Sequence, residues 1–288
     1  MDALDEITAT IESVARKVGP AVVGINRHGT GVVTADGLVV TNAHNLRGDE
    51  TYVTLADGRT SVGRQAGVDL DGDIAVVAVD TSGAPVVEFS MGPATLGQVV
   101  VALSNPRGRG LRATFGTVSS TGRGFRGPRG RRIAGSIEHT APLARGSSGG
   151  PVLDRDGRLL GINTNRLQEG FYQAIAATED LRTRIGSLAR GEAPLRRRLG
   201  TAIAPPHMTN RLRAAAGLPE VDGLLVRGVE EASAADRAGL RRGDVLLRAG
   251  DVRLTSVDAL YEALEGHGET LELTVVRATE ELTFMVSF

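Results

Sequence analysis

From Pro20 the hydrophobic residues fall in short β-branched runs broken by glycine and aspartate turns, the pattern of short β-strands joined by tight turns. Residues 21–25, 31–34, 38–41 and 52–55 read as strands, with turns at Ala35-Asp36-Gly37 and Ala56-Asp57-Gly58. Residues 74–79 are almost wholly apolar, as expected of a strand buried on both faces. Residues 98–103, 113–119, 137–140, 158–163 and 171–176 continue the pattern. The 38 glycines suit turn-rich β structure better than helical bundles. Aromatics make up only 3 %, so the cores must be built from Val, Leu, Ile and Ala.

Two segments break the β pattern. Leu4, Ile7, Ile11, Val14 and Val18 recur at spacings of three and four, the stripe of an amphipathic helix. Residues 178–188 are also helix-like, and Ala189-Arg190-Gly191-Glu192-Ala193-Pro194 ends them as a linker. At 288 residues the chain has room for two domains. Its net charge of −1 argues against a whole-molecule electrostatic nucleic-acid binder. The absence of cysteine excludes disulfides and thiol catalysis, and Lys17 is the single lysine, too remote in sequence for a Ser–Lys dyad. The N-terminus lacks the features of a signal peptide, and no run of eighteen apolar residues occurs. The compartment is therefore open: cytoplasmic, or a soluble piece of an exported or membrane-anchored protein.

The stretch Gly146-Ser147-Ser148-Gly149-Gly150-Pro151 carries the chemistry. Glycines around a serine let the backbone turn sharply and approach a bound carbonyl. If Ser148 is a nucleophile, its own N–H and that of Gly146, with Ser147 between them, can stabilise one oxyanion. Such a serine needs a base and an orienting acid. His44 closes Val40-Thr41-Asn42-Ala43-His44, and Asp73 lies in Asp71-Gly72-Asp73-Ile74-Ala75-Val76. The order His, Asp, Ser is the chymotrypsin-like one. The Gly-x-Ser-x-Gly elbow of α/β-hydrolases fits the same serine, but that fold needs a helix directly after it and places acid and histidine later in the chain. Here Pro151-Val152-Leu153 and Asp154-Arg155-Asp156-Gly157 read as strand and turn.

These three segments resemble the signatures of the HtrA (Deg) family of trypsin-fold proteases: Thr-Asn-x-His, Asp-x-Asp-(Leu/Ile)-Ala-(Val/Leu) and Gly-(Asn/Ser)-Ser-Gly-Gly-Pro. The likeness runs from about Val18 to the C-terminus. It implies a mostly β protein: an N-terminal helical segment over 1–19, two six-stranded antiparallel β-barrels over 20–190, a linker at 191–197 and a small α/β PDZ domain over 198–288. It further implies a serine endopeptidase of protein quality control that cleaves misfolded or unstructured proteins through an acyl-enzyme. His44, Asp73 and Ser148 would be catalytic, Gly146, Ser147 and Ser148 would form the oxyanion hole, and no cofactor or metal is implied. The alternative is a resting-inactive peptide-binding or chaperone-like protein whose protease domain needs an activator. The N-terminal helix would pack on the barrel or, as in family members that assemble as homo-trimers, make an oligomer contact.

The resemblance also places the binding surfaces. Residues 171–176 would line the cleft and pair with the substrate backbone, with Leu143, Arg145, Gln173 and Ala174 as substrate-binding residues. An apolar pocket of modest size follows, suited to a small aliphatic side chain before the cut bond. Arg198-Leu199-Gly200-Thr201-Ala202-Ile203 resembles the carboxylate-binding loop and strand of an HtrA-type PDZ domain. Ala232 to Leu240 resembles the family's Ser-Pro-Ala-x-x-Ala-Gly-Leu segment, and Arg242-Gly243-Asp244-Val245 its Gly-Asp-Val step. A groove that takes peptide C-termini as an added strand would use Leu199, Gly200, Thr201 and Ile203 with Leu260 and Leu264 of a helix over 257–264.

Eight arginines and no acid lie between Arg107 and Arg132. The plain expectation is a mobile, solvated basic loop, and the family resemblance offers a regulatory loop instead. Contact with nucleic acid or another anionic surface is the third reading. The literal Gly-x-G-x-x-G match at Gly122-Arg123-Gly124-Phe125-Arg126-Gly127 is set aside because Pro128 and Gly130 preclude the helix a dinucleotide site requires. His28, His139, His207 and His267 carry no motif and are expected to be surface or satisfied core residues.

Overall fold

A computed structural model describes residues 2–48, 50–126, 132–167, 170–192, 197–266 and 268–288. The chain divides into two compact units, Met1–Pro194 and Leu195–Phe288. The first unit holds two closed six-stranded barrels. One consists of β1 (Val22–Ile25), β2 (Gly29–Ala35), β3 (Leu38–Thr41), β4 (Glu50–Thr54), β5 (Thr60–Asp69) and β6 (Ile74–Ala78), in the order β1-β2-β3-β6-β5-β4. The other repeats that order with β7 (Val99–Ser104), β8 (Arg112–Arg126), β9 (Arg132–His139), β10 (Pro151–Leu153), β11 (Leu159–Arg166) and β12 (Tyr172–Ala176), closed as β10-β11-β12-β9-β8-β7. Closure leaves no free sheet edge, which lets strands this short be stable without aggregating.

The valine-rich composition explains how the barrels fill. On β7 the side chains alternate, so Val101 and Leu103 join the core shared with the first barrel while Val100 and Ala102 point into the second. Ile74 to Val77 are completely buried, as the apolar run implied. Helix α1 (Ala3–Val18) starts with a capping box between Asp2 and Asp5. Its stripe buries Val14 and Val18 against the barrel core, with Ile11 packed beside them, but Leu4 at the far end is 73 % exposed. Helix α2 (Glu179–Ala189) is capped by Thr178 and buries Leu181, Ile185 and Leu188 on the same core.

The basic stretch departs from expectation. Instead of a loop, β8 extends to Arg126 and pairs with β9 from Arg132 in one long hairpin with three register shifts. Phe125 sits opposite Ile133, and both are buried, so a cross-strand pair of an aromatic and a β-branched side chain anchors what the charge pattern made look solvated. Residues 127–131 lie outside the described residues, as does His267.

The second unit is a five-strand path, β13 (Thr201–Ala204), β14 (Leu224–Val229), β15 (Val245–Ala249), β17 (Thr270–Arg277) and β18 (Glu280–Ser287), with the short β16 (Val252–Arg253) on β15. Three helices accompany it: α3 (Pro206–Ala215), absent from the sequence reading, α4 (Ala234–Ala238) and α5 (Val257–Gly266). Ser233 caps α4, and Gly239 ends it in the left-handed region at φ 86°. The Gly-Asp-Val step earns its place through Asp244: its buried carboxylate accepts two 2.8 Å bonds from the Arg277 guanidinium and one from the Arg241 N–H. Among the described residues no helix is long and apolar enough to cross a membrane.

Candidate active site

His44 lies in a 3₁₀ turn, Ala43–Asn45, directly after β3. Asp73 occupies the turn between β5 and β6 with φ 54°, a left-handed conformation that aspartate tolerates better than most residues. The two meet: His44 Nδ1 lies 2.9 Å from each carboxylate oxygen of Asp73. Asp73 is completely buried, so its charge needs donors. It receives the His44 backbone N–H at 3.2 Å and the Thr164 hydroxyl at 2.6 Å. A carboxylate accepts and does not donate, so this contact assigns the hydrogen to Nδ1 and leaves Nε2 as the acceptor.

The flanking motif residues each hold one joint of this arrangement. Asn42 Nδ2 donates to the Asp73 carbonyl at 3.0 Å, and the Thr41 hydroxyl donates to the Thr30 carbonyl at 2.6 Å. Asn45 Nδ2 donates to the Ser148 carbonyl at 2.9 Å, tying the histidine turn to the serine loop. The loop is pinned further by the Thr30 N–H on the Ser148 carbonyl and by the Gly149 N–H on the Asn163 carbonyl, at 2.9 and 2.7 Å. Gly149, at φ 88°, allows no side chain: a Cβ there would lie 2.0 Å from the Thr30 carbonyl oxygen.

The N–H groups of Gly146 and Ser148 have no acceptor among the described residues, whereas Ser147 is committed elsewhere. Its N–H donates to the Ala144 carbonyl at 3.2 Å and its hydroxyl to Ser104 at 3.0 Å. Ser147 is thus a brace of the loop and not a donor to an oxyanion. The Ser148 hydroxyl donates to the Thr164 carbonyl at 2.9 Å, and among the described residues no hydrogen bond joins it to His44.

Beside the serine is a cavity of about 240 Å³, lined by residues 143–148, residues 163–166 and Tyr172. Leu143 and Arg145 line it as expected, but Gln173 and Ala174 do not: both are buried within the barrel. Nor can β12 pair with a substrate, because β11 and β9 already occupy its two edges. The end of β11 lies at the cavity instead. Beyond Ile162, which pairs with Pro151 at the end of β10, residues 163–166 run past β10 and line the cavity. No acid lines this cavity, and Arg166 stacks over Tyr172 at 5.9 Å. Beneath it His139 is completely buried, stacks on Tyr172 and bonds Asn163 Oδ1 at 2.8 Å through Nε2. Burial holds its pKa below the ordinary histidine range, against the smaller opposing effect of the Asn163 bond.

In the second unit Leu199, Leu260 and Leu264 are core residues, while Ile203 packs on that core partly exposed. Gly200 has φ 79° and abuts Ser233 before α4. Thr201 begins β13, which is hydrogen-bonded to β14 and forms the end of the sheet path.

The trypsin-like peptidase domain model matches residues 29–162, and the PDZ domain model residues 225–277. HhoA of Synechocystis sp., a serine protease relative, is 30 % identical over 270 residues, covering 88 % of this chain and 68 % of that one. The chain belongs to the HtrA family of trypsin-like serine proteases. HhoB of the same organism is 32 % identical over 268 residues, 86 % of this chain. This HtrA chain spans 64 % of HhoB's length. Among solved structures, the HtrA-type protease AlgW with a decapeptide superposes with a TM-score of 0.74 at 24 % identity, covering 96 % of this chain and 97 % of that one. The serine endoprotease from Yersinia pestis gives 0.72 at 26 % identity over 96 % of both chains.

Proposed function

We propose that this HtrA protein is a serine endopeptidase acting through Ser148, His44 and Asp73. The observation that carries the reading is the buried Asp73 carboxylate holding His44 Nδ1 at 2.9 Å beside a serine loop with two uncommitted N–H groups. His44 Nε2 takes the proton of Ser148 as its oxygen bonds to the peptide carbonyl carbon, and Asp73 stabilises the imidazolium that forms. The N–H groups of Gly146 and Ser148 hold the oxyanion. His44 then protonates the leaving amine as the C–N bond breaks, and water, deprotonated by His44, releases the acyl group from Ser148. The cavity disfavours a basic side chain before the cut bond, since Arg145 and Arg166 line it and no acid does, and its size with Leu143 and Tyr172 suits a small or medium apolar one. Substrates would be loosely structured proteins in a quality-control role. The PDZ domain would take peptide C-termini along β13, and AlgW, whose structure is described with a decapeptide, is consistent with peptide recognition in this fold.

One observation favours a gated form of the same reading. The Ser148 hydroxyl rests on the Thr164 carbonyl, so it must rotate towards His44 before attack. Fluorophosphonate labelling with peptide mapping tests both points, on the wild type and Ser148→Ala, with and without a C-terminal peptide. Labelling of Ser148 without peptide indicates an assembled site, and labelling only with peptide indicates gating. No labelling under either condition refutes the peptidase reading and leaves a peptide-binding protein.

A further inference from the structure

We infer that the cleft on the leaving-group side of Ser148 binds acidic residues of the substrate, so that bonds followed by aspartate or glutamate are preferred. The inference rests on the peptidase reading above. Arg27, His28, Arg107 and Arg109 line a cavity of about 520 Å³. All four are exposed, and among the described residues none of the three guanidinium groups has a hydrogen-bond or ion-pair partner. Three cations converging without a counter-charge leave a positive field in the cleft that an incoming carboxylate would neutralise.

Both walls of the cleft are fastened to the catalytic elements. On one side, the turn between β1 and β2 is held where Asn26 exchanges bonds with Tyr52 at 2.8 and 2.9 Å and donates from Nδ2 to the Asn45 carbonyl at 3.0 Å, one residue from His44. On the other, the buried Asn105 N–H donates to the Thr30 hydroxyl at 3.2 Å, and that hydroxyl donates to the Gly146 carbonyl at 2.8 Å. A Cβ placed on Gly146 would meet Pro106 at 3.1 Å and the His28 carbonyl at 3.4 Å, so the two walls flank the oxyanion loop.

The basic cleft and the 240 Å³ cavity share no lining residue and come together at Gly146. A peptide whose side chain before the cut bond fills the one has its leaving segment directed over the other. Arg107 adds an independent sign of function. It is held at φ 64°, a left-handed conformation that an arginine adopts only at an energetic cost, and such outliers gather at binding sites.

The test uses the full chain and two fluorogenic peptides with amidated C-termini, which keeps a free carboxylate away from the PDZ groove. They are identical except for Asp-Glu-Asp or Asn-Gln-Asn after the cut bond. The expected result is about tenfold higher kcat/KM for the acidic peptide at low salt, carried by KM. The ratio should fall towards one at about 0.5 M salt, where screening acts over a few ångström. It should also collapse in Arg27→Gln/Arg107→Asn, asparagine being among the residues with a side chain that best accept the left-handed backbone. Anisotropy of the same peptides, labelled, on Ser148→Ala gives the binding ratio without turnover. If neither peptide is cut, the peptidase reading fails, and the anisotropy ratio still decides the cleft. Equal kcat/KM and equal binding, or a preference that the double variant retains, overturns the inference. Capture of a single-stranded oligonucleotide in place of the acidic peptide overturns it too.

Discussion

Replacing Thr164 by valine probes the buried carboxylate on which His44 depends. The change preserves shape and removes one hydroxyl, which donates to Asp73 Oδ2 at 2.6 Å. Asp73 has no exposure to water, and among the described residues its other donors both come from His44. A hydrogen bond to a charged group contributes about 1.5–3 kcal/mol, and the loss is fully felt where water cannot replace the donor. In the proposed mechanism the same carboxylate stabilises the imidazolium formed during attack, so the loss falls on the transition state. At 1.36 kcal/mol per decade, kcat/KM should drop about 10- to 100-fold. The melting temperature of the protease unit should fall by roughly 3–12 °C, at about 2–4 °C per kcal/mol for a unit of this size. Steady-state kinetics on a fluorogenic peptide and thermal melts by circular dichroism measure both, and Thr164→Ser should restore most of the activity. A folded Thr164→Val protein with kcat/KM within about twofold of the wild type would refute the reasoning, because the hydroxyl would then contribute nothing to the charged site.

Two further outcomes follow from the same geometry. His139 is buried and neutral, with its pKa below the ordinary 6.5, so the unfolded chain takes up a proton more readily as the pH falls. Stability attributable to it is present above about pH 6.5 and is lost below that, by at most about 1.4 kcal/mol per pH unit; urea midpoints from pH 8 to 5 should show this slope, and His139→Gln should lack it. Gly149→Ala forces a Cβ to within 2.0 Å of the Thr30 carbonyl at φ 88°. It should cost about 2 kcal/mol or more and abolish fluorophosphonate labelling, and a variant that labels normally would show that the serine loop is not as tightly braced as described.

The His44, Asp73 and Ser148 segments could be read from sequence because their neighbours act locally and in fixed order. Thr41, Asn42 and Asn45 each bond a backbone atom that positions the site, and Gly149 occupies a place where any side chain collides. Which strand borders the cavity could not be read in this way. Residues 171–176 and 163–166 carry similar β patterns, and only the pairing of β12 on both edges removes the former from contention. A signal for Thr164 existed in its place one residue after Asn163 on a buried strand, but its contact with Asp73 spans 91 positions. Ser147 looked like a third oxyanion donor until its N–H was found closing a turn onto Ala144.

Sequence by itself determined the β period, the two helices that flank the barrels, the order of the three site residues and the series of PDZ motifs. These are set by short-range forces: turn chemistry, alternation of faces and backbone conformations open to glycine. Tertiary structure alone decided which strand end borders the cavity, that the arginine stretch pairs as a hairpin through Phe125 and Ile133, and that Arg27 and Arg107 share one cleft though 80 positions apart. Those outcomes depend on which distant strands close each barrel, a choice made by burial and edge pairing over the whole chain, which no local pattern encodes.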